Sequence, residues 1–220
     1  EQRFGSARPI THQVGRHILR GEYEEAVWTY IAKPYDSEYK SIRKTRENLW
    51  ESRDPEDAAE KFPESYRYEK TLLYHLTKNE GDYKGAIKRL PEGLQELFIH
   101  AYQSWIFNRV LSSLLEEDWY DESYEIPLVG YKTDLKDNKP ENMIKEILEE
   151  EGVEQEDFRL QDFPELRSEG TFRRAFADFR NFEILDIDED DLNMTQNKMT
   201  VKFDLPKGCY ATVLLREVMK

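Results

Sequence analysis

The sequence predicts an α+β fold, and three observations carry that expectation. Residues 11–117 form a succession of segments with apolar residues at helical spacing, separated by DPED, FPES, EGDY and LPEG punctuation. From about residue 118 the texture changes to mixed, shorter segments. Near the C-terminus MTVKFDL, residues 199–205, alternates strictly, with Val201, Phe203 and Leu205 on one face as a half-buried strand requires. A helical block followed by strands is α+β rather than alternating α/β.

Each element has its own local reason. Thr11 is placed to cap a first helix ending near Arg20, and Gly21 breaks it. Glu22 and Glu24 suit the positive N-terminus of a second helix carrying Ala26, Val27, Tyr30 and Ile31, which Pro34 stops. Further helices are expected at 39–52, 66–79 and 91–117. The last, PEGLQELFIHAYQSWIFNRVLSSLLEE, is apolar around most of its circumference and so must be covered by several neighbours. His100, Ser104, Asn108 and Ser112 form one polar stripe on it, with Gln103 beside them. Such a stripe faces a site or water, and spacing alone favours water. A short helix with an acidic end is expected at 140–151. Residues 171–187, with Phe172, Phe176, Phe179 and Phe182 among charges, read as strands, and TQNK as a hairpin turn. CYATVLLREVM fits strand or helix, and its REVM ending favours helix. GEYEEAVWTY at 21 and GDYKGAIKRL at 81 are similar. Their offset of sixty residues and the lack of a third copy favour two ordinary helix starts over a tetratricopeptide-like array.

Composition excludes several classes. The 220 residues are 38% hydrophobic and 13% aromatic, enough for a real core and unlike a disordered chain. The single cysteine, Cys209, excludes an internal disulfide framework and any multi-cysteine zinc site. No apolar run approaches the ~20 residues of a membrane span, and EQRFGSARPITH offers no apolar stretch for a signal. A soluble, cytoplasmic chain is expected, with a monomer favoured.

The net charge of −14 is uneven. Residues 1–20 carry +3, 166–182 carry +2 and 198–220 carry +3, so the other 160 residues hold −22. Basic residues converging on one surface can bind a polyanion despite an acidic bulk, since phosphate contacts are local. Charge alone favours the plainer reading, in which lysines and arginines only decorate exposed ends.

Known catalytic signatures are absent. His12, His17, His75 and His100 show no metal-binding spacing, and no G-x-S-x-G, P-loop or G-x-G-x-x-G occurs. Cys209 has no histidine to activate it and reads as a small, partly buried residue. DIDEDD, residues 186–191, lacks the glycine and terminal glutamate of a calcium loop and reads as a solvated turn.

Motifs carry the reading further. Gln2-Arg3-Phe4-Gly5 leads into RPITHQVGRHILRGEYEEAV, the long helix contains HAYQSWIFNRVLS, and the chain ends in LPKGCYATVLLREVMK, with EGTFRR as a weaker fourth block. Together, in this order, they resemble the TruD family of tRNA pseudouridine synthases, and they frame nearly the whole chain. The resemblance implies an enzyme that isomerises a specific D-arm uridine of tRNA without cofactor or metal. Its uracil leaves C1′ of the ribose, turns, and rejoins through C5. Such chemistry needs a flipped-out nucleotide, an aspartate beside ribose and uracil, and an aromatic face for the base.

By resemblance, Gln2, Arg3, Phe4 and Gly5 belong to the active-site cleft. Tyr210 gives an aromatic face, Leu215 packs near uracil, and Arg216 places charge near the catalytic group. Arg8, His12, Arg16, Arg173, Arg174 and Lys207 are expected to contact RNA. Segments 1–20 and 169–220 would belong to the mixed α/β catalytic domain, and 21–168 to a helical insertion domain forming the opposite wall of the RNA cleft. The family's catalytic aspartate lies upstream of Q-R-F-G, which here follows Glu1 directly, so the nucleophile is expected upstream of Glu1. No aspartate of this sequence matches its context. These 220 residues alone are therefore expected to be inactive. Between Leu115 and Tyr131 the sequence also reads shorter than the family. The rival reading is a noncatalytic, repeat-like helical module that binds protein.

Overall fold

The computed structural model describes residues 8–117, 119, 121 and 123–219. Glu1, before which the nucleophilic aspartate is expected, and the motif residues Gln2, Arg3, Phe4 and Gly5 lie outside the described residues. The described residues divide into two units, one drawn from 8–119 and 126–173, the other from 121–125 and 174–219.

The first unit is built on one buried helix. The apolar circumference of residues 91–117 becomes α7 (Glu92–Glu116), which buries Phe98 and Ile99, Ile106 and Phe107, and Val110 and Leu114 on more than one side. Against it lies α1 (Thr11–Leu19), burying Val14 and Ile18, followed by α2 (Tyr23–Ala32) with Trp28 and Ile31 inside. The approach of α1 to α7 is close enough that a Cβ on Gly15 would overlap the Phe98 carbonyl group. The expected break falls at Gly21, with φ of 70°.

The sequence places Thr11 at the cap, but the structure puts it inside the first turn. Ile10 already has helical φ and ψ and makes no side-chain cap, because the preceding Arg8–Ile10 turn delivers the chain in helical conformation. α3 (Lys40–Ser52), α5 (Arg67–Lys78) and α8 (Lys139–Glu151) follow the predicted spans closely. Two stretches of expected punctuation are helix starts instead. In α4 (Pro55–Lys61) Asp54 accepts from the Glu56 and Asp57 amides, and in α6 (Tyr83–Ile87) Asp82 accepts from Gly85 N–H. The similar segments at 21 and 81 are thus both glycine–acid–tyrosine entries into helices. They meet in space, with Tyr83 Oη donating to Glu24 at 3.0 Å and its ring edge-on to Trp28.

A buried charge cluster ties α3 and α5 to the end of α2. Arg46 is 0% exposed. It donates to Glu38 at 2.9 Å, to Glu69 at 2.8 Å and to the Ile31 carbonyl at 2.5 Å, and its guanidinium lies over Phe62. Gln103, beside the polar stripe, is buried and donates to Val129 O at 2.6 Å and Ser168 Oγ at 2.8 Å. The stripe itself runs from exposed His100 to exposed Ser112. β1 (Glu125–Leu128) and β2 (Thr171–Arg174) form a two-stranded sheet.

In the second unit β3 (Arg180–Glu189) pairs antiparallel with β4 (Asn197–Asp204), in a register joining Ile187 to Met199 and Glu189 to Asn197. The expected strand region 171–187 is thus two strands, β2 and β3. TQNK does not form the turn by itself. Asn197 and Lys198 already belong to β4, and the reversal spans 190–196: the Asp190 carboxylate accepts from Leu192 N–H and Asn193 Nδ2, and Gln196 N–H donates to the Asn193 carbonyl. The alternation of 199–205 holds, with Val201, Phe203 and Leu205 half-buried between exposed neighbours. Phe182 stacks on Phe203 at 6.2 Å. The hairpin still exposes Ile184, Leu185 and Ile187, each more than half accessible. After the LPKG turn, CYATVLLREVM resolves into α9 (Ala211–Val218), a helix.

Candidate functional site

The predicted site residues fall into three groups. Gln2 to Gly5, like Glu1 before them, are outside the described residues. His12, Arg16, Arg8 and Arg173 lie in the first unit. Arg174, Lys207, Tyr210, Leu215 and Arg216 lie in the second.

In the first unit His12 and Arg16 stand four apart on one face of α1, and that face opens on a polar cavity of about 320 Å³. Lys33, just after α2, Tyr102 and Trp105 of α7, and Glu151 at the end of α8 complete its lining. The His12 ring stacks on Trp105 at 5.5 Å and 11°, and Trp105 on Tyr102 at 5.7 Å and 15°, so three rings lie nearly parallel. Arg109 lies over the Trp105 ring at 5.1 Å. Arg16 Nη1 pairs with Glu151 at 2.6 Å, and Lys33 Nζ donates to Gln13 at 2.6 Å.

The electrostatics follow from this crowding. Burial, then the Arg16 charge, push the His12 imidazole down to about 4, so it is neutral at physiological pH. Burial and Arg16 lower Lys33 as well. Tyr102 Oη and Arg16 Nε, both buried in the lining, have no hydrogen-bond partner among the described residues. Burial raises the Tyr102 hydroxyl, keeping it a protonated donor.

Arg8 sits elsewhere. Its guanidinium donates to the Tyr30 and Lys33 carbonyls at 2.9 and 3.1 Å and lies 3.5 to 3.7 Å from Glu38 and Glu69. Burial and neighbouring Arg46 lower it to about 10. Residues 8–20, which the resemblance groups with the catalytic domain, pack through α1 on α7 within the helical unit.

Arg173 and Arg174 are exposed on β2. In the second unit Lys207 is exposed in the LPKG turn, Tyr210 precedes α9 with 40% of its surface accessible, and Leu215 is half-buried on that helix. Arg216 is exposed and lies 4.0 Å from Glu217.

Sequence reasoning did not single out Lys33, Tyr102, Trp105 or Glu151. A local signal existed for two of them, since Tyr102 and Trp105 are three apart on one helix face. Among the described residues no group of three or more His, Cys, Asp or Glu is arranged to hold a metal ion, and no helix is long and apolar enough to cross a membrane.

The two-unit α+β chain thus carries, in its first unit, a cavity lined by His12, Tyr102 and Trp105 together with Arg16, Lys33 and Glu151. The family described as tRNA pseudouridine synthase D (TruD) matches residues 1–125 and 121–218, and the chain belongs to that family. It is 32% identical to "Probable tRNA pseudouridine synthase D" of Methanococcoides burtonii, covering 100% of this chain and 59% of the relative. The Archaeoglobus fulgidus protein of the same name is 36% identical, with 100% and 60% covered. A crystal structure from Methanosarcina mazei, assigned by its description to tRNA pseudouridine synthase D (TruD), superposes with a TM-score of 0.84 at 31% identity. That match covers 98% of this chain and 59% of the other.

The chain thus spans about three fifths of the length of these relatives. The family match divides at residues 121–125, within the stretch between Leu115 and Tyr131 that reads short. The alignment to the M. burtonii relative runs over 263 positions, so that relative carries residues with no counterpart among the 220 here. These matches do not favour a protein-binding helical repeat.

Proposed function

We propose that the protein containing this chain is a tRNA pseudouridine synthase that isomerises a D-arm uridine, with tRNA as its partner. The observation that carries this reading is the family match over residues 1–218, together with a TM-score of 0.84 over 98% of the chain. Within that reading, the C-terminal segment from about residue 169 belongs to the catalytic part and the helical unit grips the tRNA. The nucleophilic aspartate belongs upstream of Glu1. Gln2 to Gly5, Tyr210, Leu215 and Arg216 belong near the reacting nucleotide, and His12, Arg16, Arg173, Arg174 and Lys207 near phosphates or bases. Arg8, bound to carbonyls and carboxylates, acts on RNA by holding the start of α1. The uridine must leave its stack to react, and an aromatic surface such as Tyr210 compensates for the lost stacking. Exposed cations supply the sequence-independent attraction.

The test is pseudouridine formation on an unmodified tRNA transcript, read as carbodiimide-dependent reverse-transcription stops, with the protein as encoded. A stop in the D-arm is the expected result. A stop elsewhere overturns the choice of uridine, and no stop overturns the reading. In parallel, tRNA binding should weaken steeply with salt and fall when Arg3 or Lys207 is replaced by Glu.

A further inference from the structure

We propose that the cavity between α1, α7 and α8 is a binding subsite for one unpaired nucleotide of the RNA. The inference rests on the tRNA reading above and names one point at which the helical unit would hold a base. Size agrees, since about 320 Å³ accommodates a nucleoside monophosphate. One wall is aromatic, with partly exposed His12 and Trp105 backed by the buried Tyr102 ring, and unpaired bases are held on such surfaces because every base has a π-face. The other wall is cationic, with Arg16 and Lys33 close enough for Arg16 to depress the lysine. Neutral His12 adds stacking surface without competing for the phosphate.

The most direct sign of a ligand site is polar. Tyr102 is 1% exposed, and its hydroxyl has no hydrogen-bond partner among the described residues. A buried, unsatisfied hydroxyl is costly, and a second unpartnered donor, Arg16 Nε, lies on the same cavity. Both atoms are shielded from solvent by the surrounding side chains. A nucleotide reaches them when Arg16 parts from Glu151 and exchanges a carboxylate partner for a phosphate. The Tyr102 hydroxyl then donates to a base carbonyl or phosphate oxygen.

The test uses an unmodified tRNA transcript and the whole protein. Tyr102→Phe removes only the orphaned hydroxyl. It should weaken tRNA binding about 3- to 10-fold, with the salt slope unchanged and the melting temperature unchanged or raised. Lys33→Gln should weaken binding and reduce the salt slope by about one phosphate contact. A 4-thiouridine-substituted transcript should cross-link to the peptide containing Trp105 or to the one containing His12. Unchanged affinity in both variants, or cross-links confined to other peptides, overturns the subsite while leaving the tRNA reading intact if Lys207→Glu still weakens binding. No salt-dependent tRNA binding by the parent protein overturns both.

Discussion

At the scale of single residues the structure separates charges that hold the fold from charges available to a ligand. Arg46 belongs to the first kind. Its buried guanidinium binds Glu38, Glu69 and the Ile31 carbonyl, so Arg46→Ala leaves two nearly buried carboxylates with Arg8 as their remaining ion-pair partner among the described residues. Urea unfolding should show a loss of about 3–5 kcal/mol, the range for breaking one side of a buried pair. Arg16 and Lys33 on the cavity belong to the second kind, and His12 beside them, neutral at physiological pH, carries a pH signature. Unfolded, the imidazole takes a proton near 6.5, while folded it does so only near 4. Between those values the unfolded state holds the extra proton, so stability falls as pH drops from 6.5 towards 4. Burial drives this direction, Arg16 and to a lesser extent Lys33 add to it, and Glu151 opposes it. Unfolding of His12→Gln should depend less on pH across that window. An NMR titration of His12 should place its midpoint far below an ordinary histidine.

At the scale of elements the decisive contact is that of α1 with α7. Gly15 is needed because the Phe98 backbone occupies the space where a side chain would begin, and backbone cannot swing aside as a lysine tip can. Gly15→Ala should therefore force the two helices apart and cost about 1–3 kcal/mol or more, measured as a drop in the urea midpoint at constant m-value. The same displacement would separate His12 and Arg16 from Tyr102 and Trp105. tRNA affinity should fall with stability in this variant, unlike in Tyr102→Phe, where the two part company.

At the scale of the whole molecule the two units differ in what they bury. The helical unit closes over a core running from Ile10 to Leu166, whereas the β3–β4 hairpin leaves Ile184, Leu185 and Ile187 largely accessible and Leu192 90% exposed. Few buried apolar contacts mean low local stability. Native-state hydrogen exchange of the 220-residue chain should accordingly show α7 amides as the most protected and β3–β4 amides exchanging much faster. Equal protection in the two would show that the hairpin is covered in solution.

The helices at 39–52, 66–79, 91–117 and 140–151 and the strand at 199–205 were all determined by the sequence alone. Hydrophobic period and punctuation are local properties, and these segments obey them without conflict. The family, too, was legible, because its motifs are contiguous runs such as HAYQSWIFNRVLS. Local chemistry misled at Asp54 and Asp82, where the residues that end a helix and those that cap the next are the same kind. Only the tertiary structure decided that Gln103 is buried on Val129 and Ser168, that Arg8 and Arg46 share one pair of glutamates, and that α1 packs with the helical unit. It alone brings His12 and Arg16 to Lys33, Tyr102, Trp105 and Glu151, residues separated by up to 139 positions in the chain. A cavity is made by surfaces meeting across such distances, and no periodicity within one segment encodes which other segment will face it.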